Sequence, residues 1–265
     1  SVKIEEGKAD LLVSDVPSIA EFRFDIRLKS SHVVSLALNY SQSVADRVRF
    51  RPAFSASLPM RPLVSLLGYA VNSRSDNITV FDKKAHVVTG VIMTGKGPSG
   101  IAIDRNLKRA YVTLSADDSI EVIDMTSGGT ISSSRLAVGD RPGGPVLTPD
   151  RSLLFTANSG SDTVSIIDAF SMIELSRIPV GNGPNSIIID HDGRRAYVFN
   201  TLSSSISVID IANRSVAATV STESGPLRGQ LSRDGTRLYV IHSWSSYLTV
   251  MDPFSLSVLN RVPVG

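Results

Sequence analysis

The words Tyr197-Val-Phe-Asn200 and Ile206-Ser-Val-Ile-Asp210 stand close together in the chain, and both recur along it at a fixed spacing. The aromatic residue that opens the first word returns at steps of 42, 44, 42 and 42 residues, at Tyr69, Tyr111, Phe155, Tyr197 and Tyr239. The aspartate that closes the second word keeps the same steps, at Asp82, Asp124, Asp168, Asp210 and Asp252. Two markers in one register show that the chain is built from a repeated unit.

A third marker, proline, holds the same register at Pro98, Pro142, Pro184 and Pro226. Each unit contains four short alternating apolar runs separated by Gly, Asp, Asn and Ser clusters, which is typical of four strands. In the second unit they fall at about 100–104, 109–114, 119–124 and 132–138. Units of about 42 residues with a strand period predict an all-β fold, a β-propeller of four-stranded blades with five clear blades.

The links within a unit have turn chemistry that needs no ligand. Asp190-His-Asp-Gly193 and Ser232-Arg-Asp-Gly235 join the first two strands of their units, and glycine supplies the positive φ of a tight turn. The aspartate that closes each third strand is expected to accept backbone N–H groups of the following turn. Proline favours edge strands, which places Pro179 and Pro263 in outer strands and Pro145 in an innermost one.

The N-terminal region differs from the rest. Residues 1–60 lack the repeat words but still alternate, as in the run from Phe22 to Leu28, and four strands are expected there. They form either a divergent sixth blade or a small β-sandwich piece beside the repeats at 61–265. The number of blades, the completeness of the chain and its oligomeric state stay open.

Composition excludes several classes of protein. The net charge of +2, from 27 basic and 25 acidic residues, gives no long-range field to recruit nucleic acid. The absence of cysteine excludes disulfides, zinc–thiolate sites and iron–sulfur clusters. No apolar run approaches the roughly 18 residues of a membrane span. The start at Ser1 fits a mature product whose signal was removed, and equally a trimmed cytosolic chain.

With these words in view, the units resemble the YVTN family of β-propeller repeats. The matching words are Tyr69-Ala-Val-Asn72, Tyr111-Val-Thr-Leu114, Phe155-Thr-Ala-Asn158, Tyr197-Val-Phe-Asn200 and Tyr239-Val-Ile-His242, with Val180-Gly-Asn-Gly-Pro184 as the turn between blades. The resemblance covers about 62–265. It implies a bacterial or archaeal protein that acts outside the cytoplasm, in the periplasm or at the cell surface.

Departures from the repeat indicate where a ligand binds. Arg228 stands where the other units have Gly100, Gly144 and Ser186, and a guanidinium at the mouth of a propeller channel suits a carboxylate or phosphate. The alternative is a structural ion pair with a neighbour such as Glu223.

The fifth unit also departs from the repeat in the loop after its second strand. His242 replaces the asparagine of three other units, and Trp244 and Tyr247 follow in a loop that is elsewhere rich in Ser, Asp and Gly. Trp, Tyr and His beside an Arg are typical of a recognition hot spot. The alternative is that the chain's single tryptophan covers the side of the last blade.

Catalysis finds less support, because it needs carboxylates or histidines that converge on one place. His32, His86 and His191 fall in separate regions, and the innermost strands are apolar apart from Gln230. We therefore expect no catalytic residue, no metal and no cofactor. The sequence favours a non-enzymatic binding or scaffold module for a protein, a glycan or a small anion, and leaves open a lactonase-like, lyase-like or haem-binding propeller.

Overall fold

The computed structural model describes residues 2–5, 8–11, 20–23, 35–38, 44–45, 49–50, 54–57, 67–125 and 129–264, with side-chain surroundings for 67–125 and 135–264. Within these ranges every helix or strand element is a β-strand. The described residues therefore contain no helix that could span a bilayer.

Short strands occupy the described part of the first 60 residues. They are β1 Val2–Glu5, β2 Lys8–Leu11, β3 Ala20–Arg23, β4 Ser35–Leu38, β5 Val44–Ala45, β6 Arg49–Phe50 and β7 Phe54–Ser57. The first three form one antiparallel sheet, β4 pairs with β7, and β5 pairs with β6. Whether this region serves as a sixth blade or a sandwich piece stays a prediction, as does the boundary at residue 60.

Five sheets follow along the repeats, each with its strands in chain order. The first has three described strands, β8 Leu67–Asn72, β9 Asn77–Asp82 and β10 Val87–Met93. The second contains β11 Pro98–Asp104, β12 Arg109–Leu114, β13 Ser119–Asp124 and β14 Gly129–Ala137. The third contains β15 Val146–Leu147, β16 Leu153–Asn158, β17 Thr163–Asp168 and β18 Ile173–Pro179. The fourth contains β19 Pro184–Ile189, β20 Arg195–Asn200, β21 Ser205–Asp210 and β22 Ser215–Ser221; the fifth contains β23 Pro226–Leu231, β24 Leu238–His242, β25 Tyr247–Met251 and β26 Val258–Pro263.

The predicted fold class is confirmed, since the repeats form antiparallel sheets that are the blades of a β-propeller. By compactness the chain divides into two parts. Compact unit 1 contains residues 1–70 and 78–92, and compact unit 2 contains residues 71–77 and 93–265. In compact unit 1 the Phe81 ring covers Gly68, and Ile78 and Val80 are buried. Compact unit 2 contains four complete blades, which we number 2 to 5 after their place among the five sheets.

The core of compact unit 2 lies in layers between successive blades. Tyr111 of blade 2 packs with Leu154 and Ile167 of blade 3, and the next two interfaces repeat the arrangement. Tyr111, Phe155 and Tyr197 are thus each buried by the blade that follows. Burying one such side chain stabilises the fold by roughly 1.5–3 kcal/mol, which is why the aromatic keeps its register.

Proline and a bulge set the start of the innermost strands. β11, β19 and β23 each begin at the repeated proline, and the pairing shifts by one residue directly after it. Blade 3 differs because Pro145 lacks an N–H to give to the ladder. There Pro142 makes an isolated bridge to Asn158, and Pro145 stands just before the two-residue β15 rather than within it. Pro179 and Pro263 lie in outer strands as predicted.

The turn chemistry is also as predicted. Gly193 and Gly235 both have φ of 70°. The Asp168 carboxylate accepts the backbone N–H groups of Phe170 and Ser171, and those bonds lower its pKa. Corresponding bonds reach Asp82, Asp210 and Asp252. These aspartates are therefore structural.

Blade packing predicts the effect of adding a single methyl group. A Cβ at Gly229 of β23 would overlap the ring of Phe199 in the preceding blade, whereas nothing lies within 4 Å of one at Gly144. We expect Gly229→Ala to lower the free energy of unfolding by about 1–3 kcal/mol through overpacking. The matched control Gly144→Ala should stay within about 1 kcal/mol of the parent. Equal losses in urea denaturation would contradict this packing.

Candidate functional site

The candidate site lies where two kinds of loop meet in each blade. The loop after the second strand hydrogen bonds to the turn that enters the blade: Ser115 N donates to Gly97 O at 2.8 Å, Thr201 N to Gly183 O at 3.0 Å, and Ser243 N to Gly225 O at 2.7 Å. All three glycines have positive φ. This repeated contact fixes the backbone from which Trp244 projects.

Trp244 lies over Gly225. A Cβ at that glycine would be 2.8 Å from Trp244 Cε3, just as a Cβ at Gly183 would be 2.5 Å from Leu202 Cγ. The tryptophan therefore occupies a position that has a structural task in the other blades. Its side chain is nevertheless 60% exposed. One part of the ring therefore covers the turn that enters the blade while the rest faces solvent, and the role of Trp244 in binding stays a prediction.

His242 replaces an asparagine that has a defined partner in the other blades. Asn158 Nδ2 donates to Ser165 Oγ at 2.9 Å, and Asn200 Nδ2 donates to Ser207 Oγ at the same distance. At the corresponding place in blade 5, His242 Nε2 and Thr249 Oγ1 are both buried without a hydrogen-bond partner among the described residues. The hydrogen bond that joins these two positions in blades 3 and 4 therefore has no counterpart in blade 5.

The other ring nitrogen of His242 connects it to Tyr247. His242 Nδ1 lies 3.2 Å from the Tyr247 carbonyl oxygen. Burial lowers the pKa of His242, while that carbonyl and the nearby charge of Glu223 act in the opposite direction. The imidazole is therefore neutral at neutral pH. Tyr247 itself, at the start of β25, is exposed.

Arg228 is placed differently from the other three candidates. It is exposed on β23, opposite Ile241 in the register, and its side chain makes no hydrogen bond or ion pair within the described residues. The expected pair with Glu223 is not formed. Glu223 Oε1 instead accepts from Arg261 Nε of β26 at 2.6 Å, a pair that the sequence did not reveal.

The four candidate residues thus form a group of three and a neighbour. His242, Trp244 and Tyr247 share one loop, while Arg228 lies two residues along β23 from Pro226, which pairs with His242. In the part of the chain that the structure describes, no cluster of three His, Asp or Glu side chains is suited to hold a metal ion. The surface offers one free guanidinium and two exposed aromatic rings, a set that can bind by ionic contact and stacking.

The stacked blades and this loop surface define the chain as a β-propeller. A family model places it more closely: residues 57–265 match the YNCE-like β-propeller family, and the chain belongs to that family. No curated protein matches the chain. The finer identification with the YVTN surface-layer type is not part of this result.

Solved structures show the same fold at low sequence identity. A chain titled hydrazine synthase from Kuenenia stuttgartiensis is similar with a TM-score of 0.68 and 22% identity, over 75% of this chain and 63% of that one. The β-propeller domain of Cps50 (Swd1) from Myceliophteria thermophila is similar with a TM-score of 0.59 and 14% identity, over 74% of this chain and 70% of that one. The protein thus spans less than two thirds of the hydrazine synthase chain. Such likenesses establish the fold alone.

His242 predicts a pH dependence of stability. Because its pKa in the folded state lies below the ordinary value of 6.5, the unfolded chain binds more protons as the pH falls through 6.5. The free energy of unfolding should therefore decrease in that range. His242→Asn, which restores the residue of blades 3 and 4, should remove this part of the decrease. Urea denaturation at pH 7.5 and 5.5 checks it; parallel profiles for parent and variant would contradict the assignment.

Proposed function

We propose that the protein is a non-enzymatic, exported or cell-surface propeller whose blade 5 loop surface binds a protein, a glycan or a small anionic ligand. The observation that carries the proposal is the exposed ring of Trp244, held over Gly225 at the place where other blades have a smaller residue. A large aromatic held in place on a polar loop loses little conformational entropy when it is covered by a partner.

Arg228 supports the same proposal by its lack of an internal partner. Glu223, the counter-ion that the sequence suggested as an example, is engaged by Arg261. A free guanidinium next to exposed aromatic rings suits a carboxylate, a phosphate or the acidic group of a glycan. The YVTN-like repeat words support a location outside the cytoplasm, and fractionation of the source cells tests that part of the proposal.

Substitution of Trp244 separates its two roles. Trp244→Leu places at this position the residue that covers Gly183 in blade 4, and so preserves the cover over Gly225. We expect the melting temperature of this variant to stay within about 2 °C of the parent, since the ring is mostly exposed. Trp244→Ala removes the cover and should cost about 1 kcal/mol more. A loss above about 3 kcal/mol for Trp244→Leu would make the residue part of the core.

Binding can be measured directly because the chain has one tryptophan. Intrinsic fluorescence should respond in a saturable manner to a ligand at this surface. Inorganic phosphate and citrate serve as anion probes, and chito-oligosaccharides serve as glycan probes. For a responsive anion, Arg228→Gln should weaken binding at least about 10-fold, as expected for loss of a charged hydrogen bond. Arg233→Gln, an exposed arginine in the turn between β23 and β24, is the matched control.

Two results would count against the proposal. One is a flat fluorescence response to all these probes together with no binding of a surface extract from the source cells. The other is a stoichiometric metal or a visible absorption band in the purified protein, which would favour a cofactor-bearing propeller.

A further inference from the structure

Neighbouring blades are joined by a recurring clamp. Tyr111 Oη of blade 2 donates to the carbonyl of Ala169 in blade 3 at 2.7 Å, and Tyr197 Oη of blade 4 donates to the carbonyl of Pro253 in blade 5 at 3.0 Å. In both cases the accepting carbonyl directly follows the aspartate that closes the third strand. The clamp therefore contacts the same turn of the next blade in both cases, the turn that follows its third strand.

An arginine completes the clamp two residues before each tyrosine. The Arg109 guanidinium lies 5.9 Å from the centre of the Phe170 ring, and that of Arg195 lies 5.6 Å from the Phe254 ring. Both arginines also donate to carbonyls of these turns, at 3.4–3.5 Å. The word Arg-X-Tyr in one blade thus matches the word Asp-X-Phe in the next.

Blade 3 shows that the match is selective. It carries Leu153 and Phe155 in place of Arg and Tyr, and the turn that it meets in blade 4 is Asp210-Ile-Ala212. There Phe155 and Ile211 belong to one buried apolar cluster, with Leu153 packed against it. The apolar pair of Leu153 and Phe155 therefore packs against a turn with an apolar residue, whereas the Arg-X-Tyr pairs pack against turns that contain a phenylalanine.

Blade 5 carries the polar clamp a third time, as Arg237-Leu-Tyr239, but no turn among the described residues engages it. Tyr239 is 39% exposed, whereas Tyr111 and Tyr197 are at most 1% exposed. Its hydroxyl has no hydrogen-bond partner in the described residues, and the Arg237 guanidinium donates only to its neighbour Thr236. Ile241, on the same face of β24, is 45% exposed, although its counterparts Thr113 and Phe199 are fully buried.

We propose that this face of blade 5 is a docking surface for a further propeller blade whose third strand is followed by Asp-X-Phe. Its support is continuity with the two polar interfaces already formed within the chain. A second copy of this chain does not supply the turn, because both of its Asp-X-Phe words, at 168–170 and 252–254, are held by Arg109 and Arg195. The other three turns have Lys84, Thr126 or Ala212 in place of the phenylalanine.

The test supplies the blade as an extension of the full chain. One protein carries a second copy of residues 224–264 after Gly265, with the Asp-Pro-Phe turn; the control carries residues 182–222, equal in length, with the Asp-Ile-Ala turn. We expect the first to melt at least about 3 °C above the second. Tyr239→Phe should lower the melting temperature of the first by about 2–4 °C and leave the unextended chain unchanged.

Nitration of Tyr239, followed by mass spectrometry, gives a readout that does not depend on stability. The tyrosine of the added blade that corresponds to Tyr239 is changed to phenylalanine, so that the two peptides differ in mass. Tyr239 should then be modified in the unextended chain and protected at least about 10-fold in the chain with the Asp-Pro-Phe blade, whereas Tyr111 and Tyr197 should be protected in both. Equal melting temperatures for the two extended chains, or protection of Tyr239 in the unextended chain, would overturn the proposal. A stable dimer of the unextended chain that Tyr239→Phe dissociates would also overturn it, because this face of blade 5 would then be covered by a second copy of the chain.

Discussion

The burial of one aromatic side chain per blade against the following blade is the contact on which the repeats depend. Tyr111, Phe155 and Tyr197 come from the second strand of their blades and are covered by the third strand and turn of the next blade. Because no blade can bury this side chain by itself, a blade gains its stability from its neighbour. The fixed register of the aromatic and of the closing aspartate follows from this dependence, since one supplies the clamp and the other sets the turn that is clamped.

The same dependence explains why variation accumulates at the loop end of a blade. The entering turn and the loop after the second strand are held by backbone hydrogen bonds and a positive-φ glycine, so side chains there are free to change. Ala116, Leu202 and Trp244 occupy one position with very different sizes, and each contacts the glycine of its own blade. A rigid backbone with exchangeable side chains is the usual basis for recognition by loops on a scaffold.

The sequence was sufficient for the fold and for much of the strand pattern. β12 and β13 have the predicted bounds of 109–114 and 119–124, because alternation and turn residues delimit them on both sides. β14 begins at Gly129 rather than near 132, since the glycines before it give no local signal for the start of a strand. β15 is reduced to two residues because Pro145, directly before it, has no N–H to give to the ladder.

The candidate site was only partly accessible to sequence reasoning. The cover of Gly225 by Trp244 could have been found, since Leu202 stands at the same offset from Gly183. The ion pair of Glu223 with Arg261 could not, because it depends on where the outermost strand runs and joins residues 38 apart in the chain. That pair changes the interpretation of Arg228. A guanidinium whose suggested counter-ion is bound elsewhere stays exposed to solvent, and an incoming anion need not displace an internal partner to reach it. Arg261 is therefore a structural residue, whereas the Arg228 side chain has no partner among the described residues and is free to meet a ligand.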